Sequence, residues 1–169
     1  MGGYPVGMGE LLGIYLNDHL AGAVAGTELA RRLAGAERDI PALARLADEI
    51  ASDRAALLDM MAALDVPVRR YKTVAAWAGE KVARLKLNGR LVTRSPLSRV
   101  IELEALRLGV EGKVAGWRTL RVRAERDARL DSARLDGLIT RALGQIEELE
   151  TLRVEAAAAA FGGDAAIAK

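Results

Sequence analysis

Six side chains with metal-binding chemistry are spaced so that each apolar helical segment could turn at least one of them inward. Carboxylate oxygens and imidazole nitrogens are ligands that divalent iron and manganese accept. A site with two Fe or Mn ions could activate oxygen or peroxide, which is the chemistry of an oxidase. The candidate metal ligands are His19, Asp53, Glu104, Glu111, Glu147 and Glu150.

Arginines close to the same acids support a second interpretation, in which the acids are neutralised without metal. An unpaired buried carboxylate is costly, and side chains three or four positions apart on a helix can reach each other. We adopt this interpretation, which predicts no cofactor, and keep the metal site as the alternative. The predicted buried ion-pair network is Asp53, Arg54, Glu104, Arg107, Glu111, Arg118, Glu150 and Arg153.

His19 is the only histidine of the chain and falls near the centre of an apolar helical face. A lone inward histidine is commonly a hydrogen-bonded core residue, since both ring nitrogens can find partners. We expect that role for His19. If Glu111 or Asp53 is its neighbour, its charge could respond to pH.

Four segments with helical apolar spacing must position these side chains. We predict helices over about 10–34, 41–64, 96–124 and from Asp127 or Asp131 to Phe161. Asp39 with Pro41 and Ser95 with Pro96 are start signals, and Gly162 is a stop signal. No segment alternates apolar and polar residues long enough to be a strand, so the predicted class is all-α.

The connections between these segments predict the topology. Short links make the first two helices and the last two helices antiparallel hairpins. The crossover 66–95 is long enough to span a bundle of about 40 Å, and its residues 74–87 have the spacing of a short fifth helix. We predict a tail over 1–9, one bundle domain over 10–161 and a tail over 162–169.

Three segments carry a family resemblance: residues 11–20 (LLGIYLNDHL), 109–120 (GVEGKVAGWRTL) and the acidic cluster 147–150 (EELE). With the two-hairpin order, they resemble the bacterial stress-associated ferritin-like proteins of the YciE/YciF type. The resemblance implies a ferritin-like bundle, which in many members holds two metal ions through Glu followed three residues later by His or Glu. Glu147 and Glu150 fit that spacing, whereas Val114 follows Glu111. This departure from the family pattern predicts a degenerate metal centre.

Projection of the third helix places Glu104 and Glu111 on the line of Leu97, Ile101, Leu108 and Ala115, which we predict to face inward.

Two glycine ridges also need a reason, because glycine costs about 1 kcal/mol within a helix. They could allow close helix packing within the bundle or across a homodimer, or they could line a groove that admits a ligand. The ridges are Gly22 and Gly26, and Gly109, Gly112 and Gly116.

The crossover is strongly basic, with nine basic residues and one acid between Arg69 and Arg99, a net charge of +8. It could dock on the acidic surface of its own bundle or another subunit, bind anions, nucleic acid or an acidic partner, or associate with a membrane surface. Its aromatic side chains are few for base stacking. The predicted basic patch is Arg69, Arg70, Lys72, Lys81, Arg84, Lys86, Arg90 and Arg94.

Composition excludes several classes of function. The 169 residues contain no cysteine, which excludes thiolate zinc sites and cysteine nucleophiles. We find no signal peptide pattern and no membrane-spanning run, so we expect a cytoplasmic protein. We also expect a homodimer or a higher homo-oligomer. The favoured function is a non-catalytic ferritin-like binding or assembly module.

Overall fold

The computed structural model describes residues 7–69 and 95–162, which contain helices and no strand. The four helices are α1 (Met8–Ala36), α2 (Pro41–Ala63), α3 (Pro96–Ala124) and α4 (Ser132–Phe161). This confirms the predicted all-α class. No helix in these two ranges is both long and apolar enough to cross a membrane. The predicted fifth helix over 74–87 lies outside the described residues.

The starts of α3 and α4 follow from capping chemistry. Oδ1 of Asp131 accepts hydrogen bonds from the backbone N–H groups of Ala133 and Arg134, and Oγ of Ser95 accepts one from Leu97. The predicted cap at Asp39 is wrong, because Ile40 is the residue that precedes α2. Asp39 lies one position too early for its side chain to reach the first free N–H groups. The first helical residue of α2 is Pro41, where the missing N–H costs nothing.

The helix pairs α1–α2, α1–α3, α2–α4 and α3–α4 run antiparallel, so α2 and α3 run parallel to each other. The link 37–40 is too short for α1 and α2 to do otherwise, and side-chain contacts near both ends fix the other directions. These contacts are Arg45–Glu148 and Arg134–Asp59 between α2 and α4, Arg121–Asp136 and Arg153–Glu104 between α3 and α4, and Tyr15–Thr119 and Arg32–Glu102 between α1 and α3.

Two ion pairs locate the end of α2 and the start of α3. Asp65, just after α2, pairs with Arg129 in the α3–α4 link. Arg99, in the first turn of α3, pairs with Glu37 in the α1–α2 link. The end of α2 and the start of α3 therefore lie at opposite ends of the helices.

The core is a set of apolar seams, one on each helix, whose members repeat at spacings of three and four residues. The largest fully buried apolar side chains are Leu16, Leu33, Leu43, Leu46, Met61, Leu103, Leu106, Leu120, Leu135 and Leu149. Three of them belong to α3, so the buried face of that helix is well defined.

The predicted inner face of α3 is wrong. Leu97 and Leu108 are 45% and 62% exposed, and Glu104 and Glu111 lie on the same exposed side. The buried face contains Leu103, Leu106, Val110, Trp117 and Leu120 instead. Apolar residues surround most of this helix, so the sequence pattern alone favours no single face.

Candidate functional site

Three helices place a polar residue where their buried seam requires an apolar one. Asp53 on α2 and Gln145 on α4 are each only 1% exposed. Lys113 on α3 lies between the buried side chains of Val110 and Trp117, and its own side chain is 16% exposed. These three residues, together with Arg141 and Glu49 at the edge, form what we call the polar layer.

Asp53 is the centre of the polar layer. Lys113 Nζ donates to Oδ2 of Asp53 and, at 2.5 Å, to Oε1 of Gln145. Arg141 donates to Oδ1 of Asp53 through Nε at 3.0 Å and also through Nη2. Gln145 Nε2 donates to Oδ2 of Asp53 at 3.2 Å and to Glu49 Oε2 at 3.0 Å. The buried carboxylate thus has charge-assisted partners on both oxygens.

The polar layer is electrically balanced, since Lys113 and Arg141 oppose Asp53 and Glu49. Burial lowers the pKa of Lys113, and the charge and hydrogen bond of Asp53 act in the opposite direction. Each of these charges would be costly to bury alone. Together they close the space between α2, α3 and α4 with internally satisfied groups.

Arg54 does not pair with Asp53, contrary to the sequence prediction. Consecutive residues on a helix point about 100° apart, so Arg54 faces a different direction from its neighbour. The cations that reach Asp53 come from other helices, namely Lys113 and Arg141. Long-range partners of this kind have no signature in local spacing.

The other acids and arginines of the predicted network pair on the outer side of α3 and α4 rather than in the core. Arg107 lies 3.1 Å from Glu111 and 3.3 Å from Glu150, and Arg153 lies 2.7 Å from Glu150 and 3.8 Å from Glu104. The Arg153 hydrogen bonds lower the pKa of Glu150. These side chains are between 26% and 49% exposed, which makes the cluster a surface one.

Arg118, the remaining member of the predicted network, is exposed and pairs with no acid in residues 7–69 or 95–162. Its position immediately after the buried Trp117 turns it outward.

The six candidate metal ligands are not brought together. Asp53 lies in the polar layer, Glu104, Glu111 and Glu150 in the surface cluster, and Glu147 is exposed on α4. His19 belongs to α1, and its ring lies against Gly116 of α3. Across the described ranges, no three His, Cys, Asp or Glu side chains form a group that could hold a metal ion.

An open groove of about 450 Å³ lies between α1, α2 and α3. Asp53 and Lys113 of the polar layer are among the residues that line it. Its walls are mostly apolar. They include Leu16, Ile50, Leu57, Leu106, Val110, Trp117 and Leu120 together with all five ridge glycines, Gly22, Gly26, Gly109, Gly112 and Gly116.

Four of these glycines keep the groove open rather than allowing helices to pack closely. A Cβ added at Gly22, Gly26, Gly109 or Gly112 would meet no atom of residues 7–69 or 95–162 within 4 Å. The predicted close packing within the bundle is therefore not found among the described residues, and close packing across a homodimer stays a prediction. The alternative prediction, a groove lined by glycine, agrees with the geometry.

Gly116 has a different role, because it allows the ring of His19 to approach α3. A Cβ at this position would lie 3.0 Å from both Cε1 and Nδ1 of His19. The Tyr15 ring packs edge-on at 4.5 Å from the His19 ring, and Tyr15 donates a hydrogen bond to Thr119 Oγ1 at 3.0 Å. His19 thus bridges α1 and α3 by packing.

His19 differs from its predicted role, since it forms no hydrogen bond with any residue of the described ranges. Partial burial lowers its pKa, and the nearby charge of Asp18 opposes that shift. Neutral imidazole is therefore favoured on the groove wall.

Arg54 brings an uncompensated charge to the groove. It is one of the lining residues, its Nε is buried without a hydrogen-bond partner, and it pairs with no acid in the described ranges. The indole Nε1 of Trp117, another lining residue, is also buried without a hydrogen-bond partner among the residues that the structure describes. Asp18 lines the edge of the groove, where it is exposed.

Of the predicted basic patch, only Arg69 lies in the described residues. Its backbone N–H donates to Oδ1 of the buried Asn17 at 2.7 Å, and Asn17 Nδ2 donates to the Pro67 carbonyl at 3.1 Å, so the start of the crossover is fixed to α1. The other members lie outside the described ranges: Arg70, Lys72, Lys81, Arg84, Lys86, Arg90 and Arg94.

Sequence reasoning missed Lys113, Arg141 and Gln145. The spacing of the seams could have revealed two of them. On α3 the seam runs through Leu106, Val110, Trp117 and Leu120, which leaves Lys113 at the missing position. On α4 the equivalent gap between Ala142 and Leu149 is filled by Gln145.

Comparison with other proteins adds no relative to this description. No family model matches the chain, and no curated protein or solved structure matches it either.

Proposed function

We propose that the chain is a non-catalytic binding module, a ferritin-like bundle in which cation–carboxylate pairs take the place of a metal centre. Its ligand is a small, largely apolar molecule that occupies the groove between α1, α2 and α3. The observation that carries the proposal is the pair of glycine ridges, which line an open groove of about 450 Å³.

The cost of these glycines supports a binding role. An exposed glycine within a helix destabilises it by about 1 kcal/mol relative to alanine. Gly22, Gly26, Gly109 and Gly112 gain no close contact within the described ranges in return. A ligand that needs the space supplies the missing reason.

The dimensions and lining of the groove also fit a small ligand. Small-molecule sites occupy about 300–1,000 Å³ and combine apolar walls with a few polar groups. This groove is within that range, and its polar groups include Arg54, His19 and Tyr15. The polar layer next to it is internally satisfied, so its charged groups do not require a ligand of their own.

A neutral apolar dye such as Nile red tests the proposal. Leucine at position 112 would extend into open space that the dye needs, so Gly112→Leu is expected to weaken binding at least about tenfold. Gly144→Leu is the matched control. Gly144 is also an exposed helical glycine, and an added Cβ would meet no described residue within 4 Å, but it lies on α4 and does not line the groove.

Fluorescence titration of the full chain is expected to give saturable binding with one equivalent of dye, unchanged in Gly144→Leu. Absence of binding, or equal loss in the two variants, would overturn the proposal.

A further inference from the structure

We infer that the ligand of the groove is an amphipathic monocarboxylate, with its acyl body against the apolar walls and its carboxylate on the guanidinium of Arg54. This inference rests on the proposed function and adds the chemical class of the ligand.

The charges that face the groove are not equivalent. Lys113 is committed to Asp53 and Gln145. Asp53 is committed to Lys113 and Arg141, so neither of these lining charges needs a further partner. Arg54 is the lining cation that has no acid partner in the described ranges. An anionic group in the groove would provide one.

Partial burial makes this cation more effective than an arginine in water. The Nε of Arg54 is shielded from solvent without a hydrogen-bond acceptor, and the side chain as a whole is only partly exposed. Electrostatic attraction strengthens as water is excluded, and a guanidinium can bind a carboxylate through two parallel hydrogen bonds. The outer guanidinium nitrogens are the groups that a ligand carboxylate would reach, and no acid of the described ranges pairs with them.

Asp18 carries the opposite charge at the edge of the groove, but it is exposed. Its field is therefore screened by water and salt. A cationic ligand would gain less from Asp18 than an anionic ligand gains from Arg54. Because Arg54 is less exposed than Asp18, we expect the ligand to carry a negative charge.

Isothermal titration calorimetry with three ligands of equal chain length tests the inference. Octanoate, octanol and octylamine share the apolar body and differ in the charge of the head group. We expect the wild-type chain to bind octanoate at least about tenfold more tightly than octanol, because hydrogen bonds to charged groups are stronger than neutral ones. Octylamine is expected to bind more weakly than octanoate.

Arg54→Gln keeps a long polar side chain and removes the charge. It is expected to bring the affinities for octanoate and octanol close to each other, because octanoate loses its charged partner and octanol has none to lose. Arg118→Gln is the control for net charge, since Arg118 is exposed, does not line the groove and has no acid partner in the described ranges. The preference for octanoate is expected to survive in this variant.

The possible failures are distinguishable. If octanol or octylamine binds as tightly as octanoate, if the preference survives in Arg54→Gln, or if Arg118→Gln removes it equally, the inference is overturned while the groove remains a binding site. If neither Nile red nor any of the three ligands binds, the proposed function and the inference are both overturned.

Discussion

Lys113 donates to Oδ2 of Asp53 from a position on α3 that the apolar seam would otherwise assign to a leucine or valine. The two residues are on different helices and almost fully enclosed, with side-chain exposures of 16% and 1%. A buried pair of this kind is strongly destabilising to break, although replacing both partners by apolar residues can be neutral. The contact therefore ties the orientation of α3 to that of α2.

The glycines of α3 differ in what surrounds them, and alanine substitutions should reveal this. Gly109→Ala is expected to raise the free energy of unfolding by about 0.5–1 kcal/mol, because the methyl group enters open space and the helix gains propensity. Gly116→Ala should lack this gain, because its Cβ would lie 3.0 Å from the His19 ring. Chemical denaturation checks both variants, and an equal gain in the two would contradict the described packing.

The helix caps provide a second matched comparison. Asp131→Ala should lower the free energy of unfolding by about 1 kcal/mol, because two backbone N–H groups at the start of α4 lose their acceptor. Asp39→Ala should change it by less than about 0.5 kcal/mol, because Asp39 is exposed and does not cap α2. Thermal or urea denaturation measures both, and a larger loss at Asp39 would show that α2 starts differently.

The titration of His19 predicts a pH dependence of stability. Burial lowers the pKa of His19 in the folded chain below the ordinary value of 6.5. As pH falls through 6.5, the unfolded chain binds a proton before the folded one does, so this contribution to stability is lost toward acid. The free energy of unfolding should therefore fall more between about pH 7.5 and 5.5 in the wild type than in His19→Gln.

NMR reports the same property directly, because the chain has a single histidine. Its ring-proton resonance should titrate below 6.5. A midpoint at or above 6.5, or an identical pH dependence of stability in His19→Gln, would contradict the assignment of His19 to a partly desolvated site.

Local signals in the sequence were sufficient to predict the four helices of residues 7–69 and 95–162. The start of α3 follows from Ser95 and Pro96, and the start of α4 follows from Asp131, because caps act over only two or three residues. The prediction at Asp39 was wrong for the same reason. Asp39 lies one residue before the N-cap position, and at that distance its side chain cannot cap α2. The ferritin-like character of the bundle and the single-domain organisation remain predictions.

The candidate site could be predicted only in part, because its contacts join distant parts of the chain. Asp53 could be placed inside from the seam of α2, but its partners Lys113 and Arg141 lie 60 and 88 residues away. The prediction used neighbours on the same helix, and so it paired Asp53 with Arg54. The groove depends on the relative placement of three helices. The glycine ridges indicated that a groove was one possibility, but their spacing alone could not establish it.

The most direct test of the account is a double-mutant cycle on the central pair of the polar layer. Asp53→Asn is expected to lower the free energy of unfolding by about 3–5 kcal/mol, because it leaves Lys113 enclosed without its countercharge. Asp53→Asn combined with Lys113→Met should lose less than the sum of the two single variants. Glu111→Gln, which breaks a surface pair with Arg107, is the control and should cost less than about 1 kcal/mol.

These free energies are measured by urea denaturation of the full chain at neutral pH. The account predicts a large loss in Asp53→Asn, a small loss in Glu111→Gln and a clear coupling between positions 53 and 113. A loss at Asp53 no larger than at Glu111, with additive effects in the double variant, would contradict the claim that buried cation–carboxylate pairs hold the centre of the bundle.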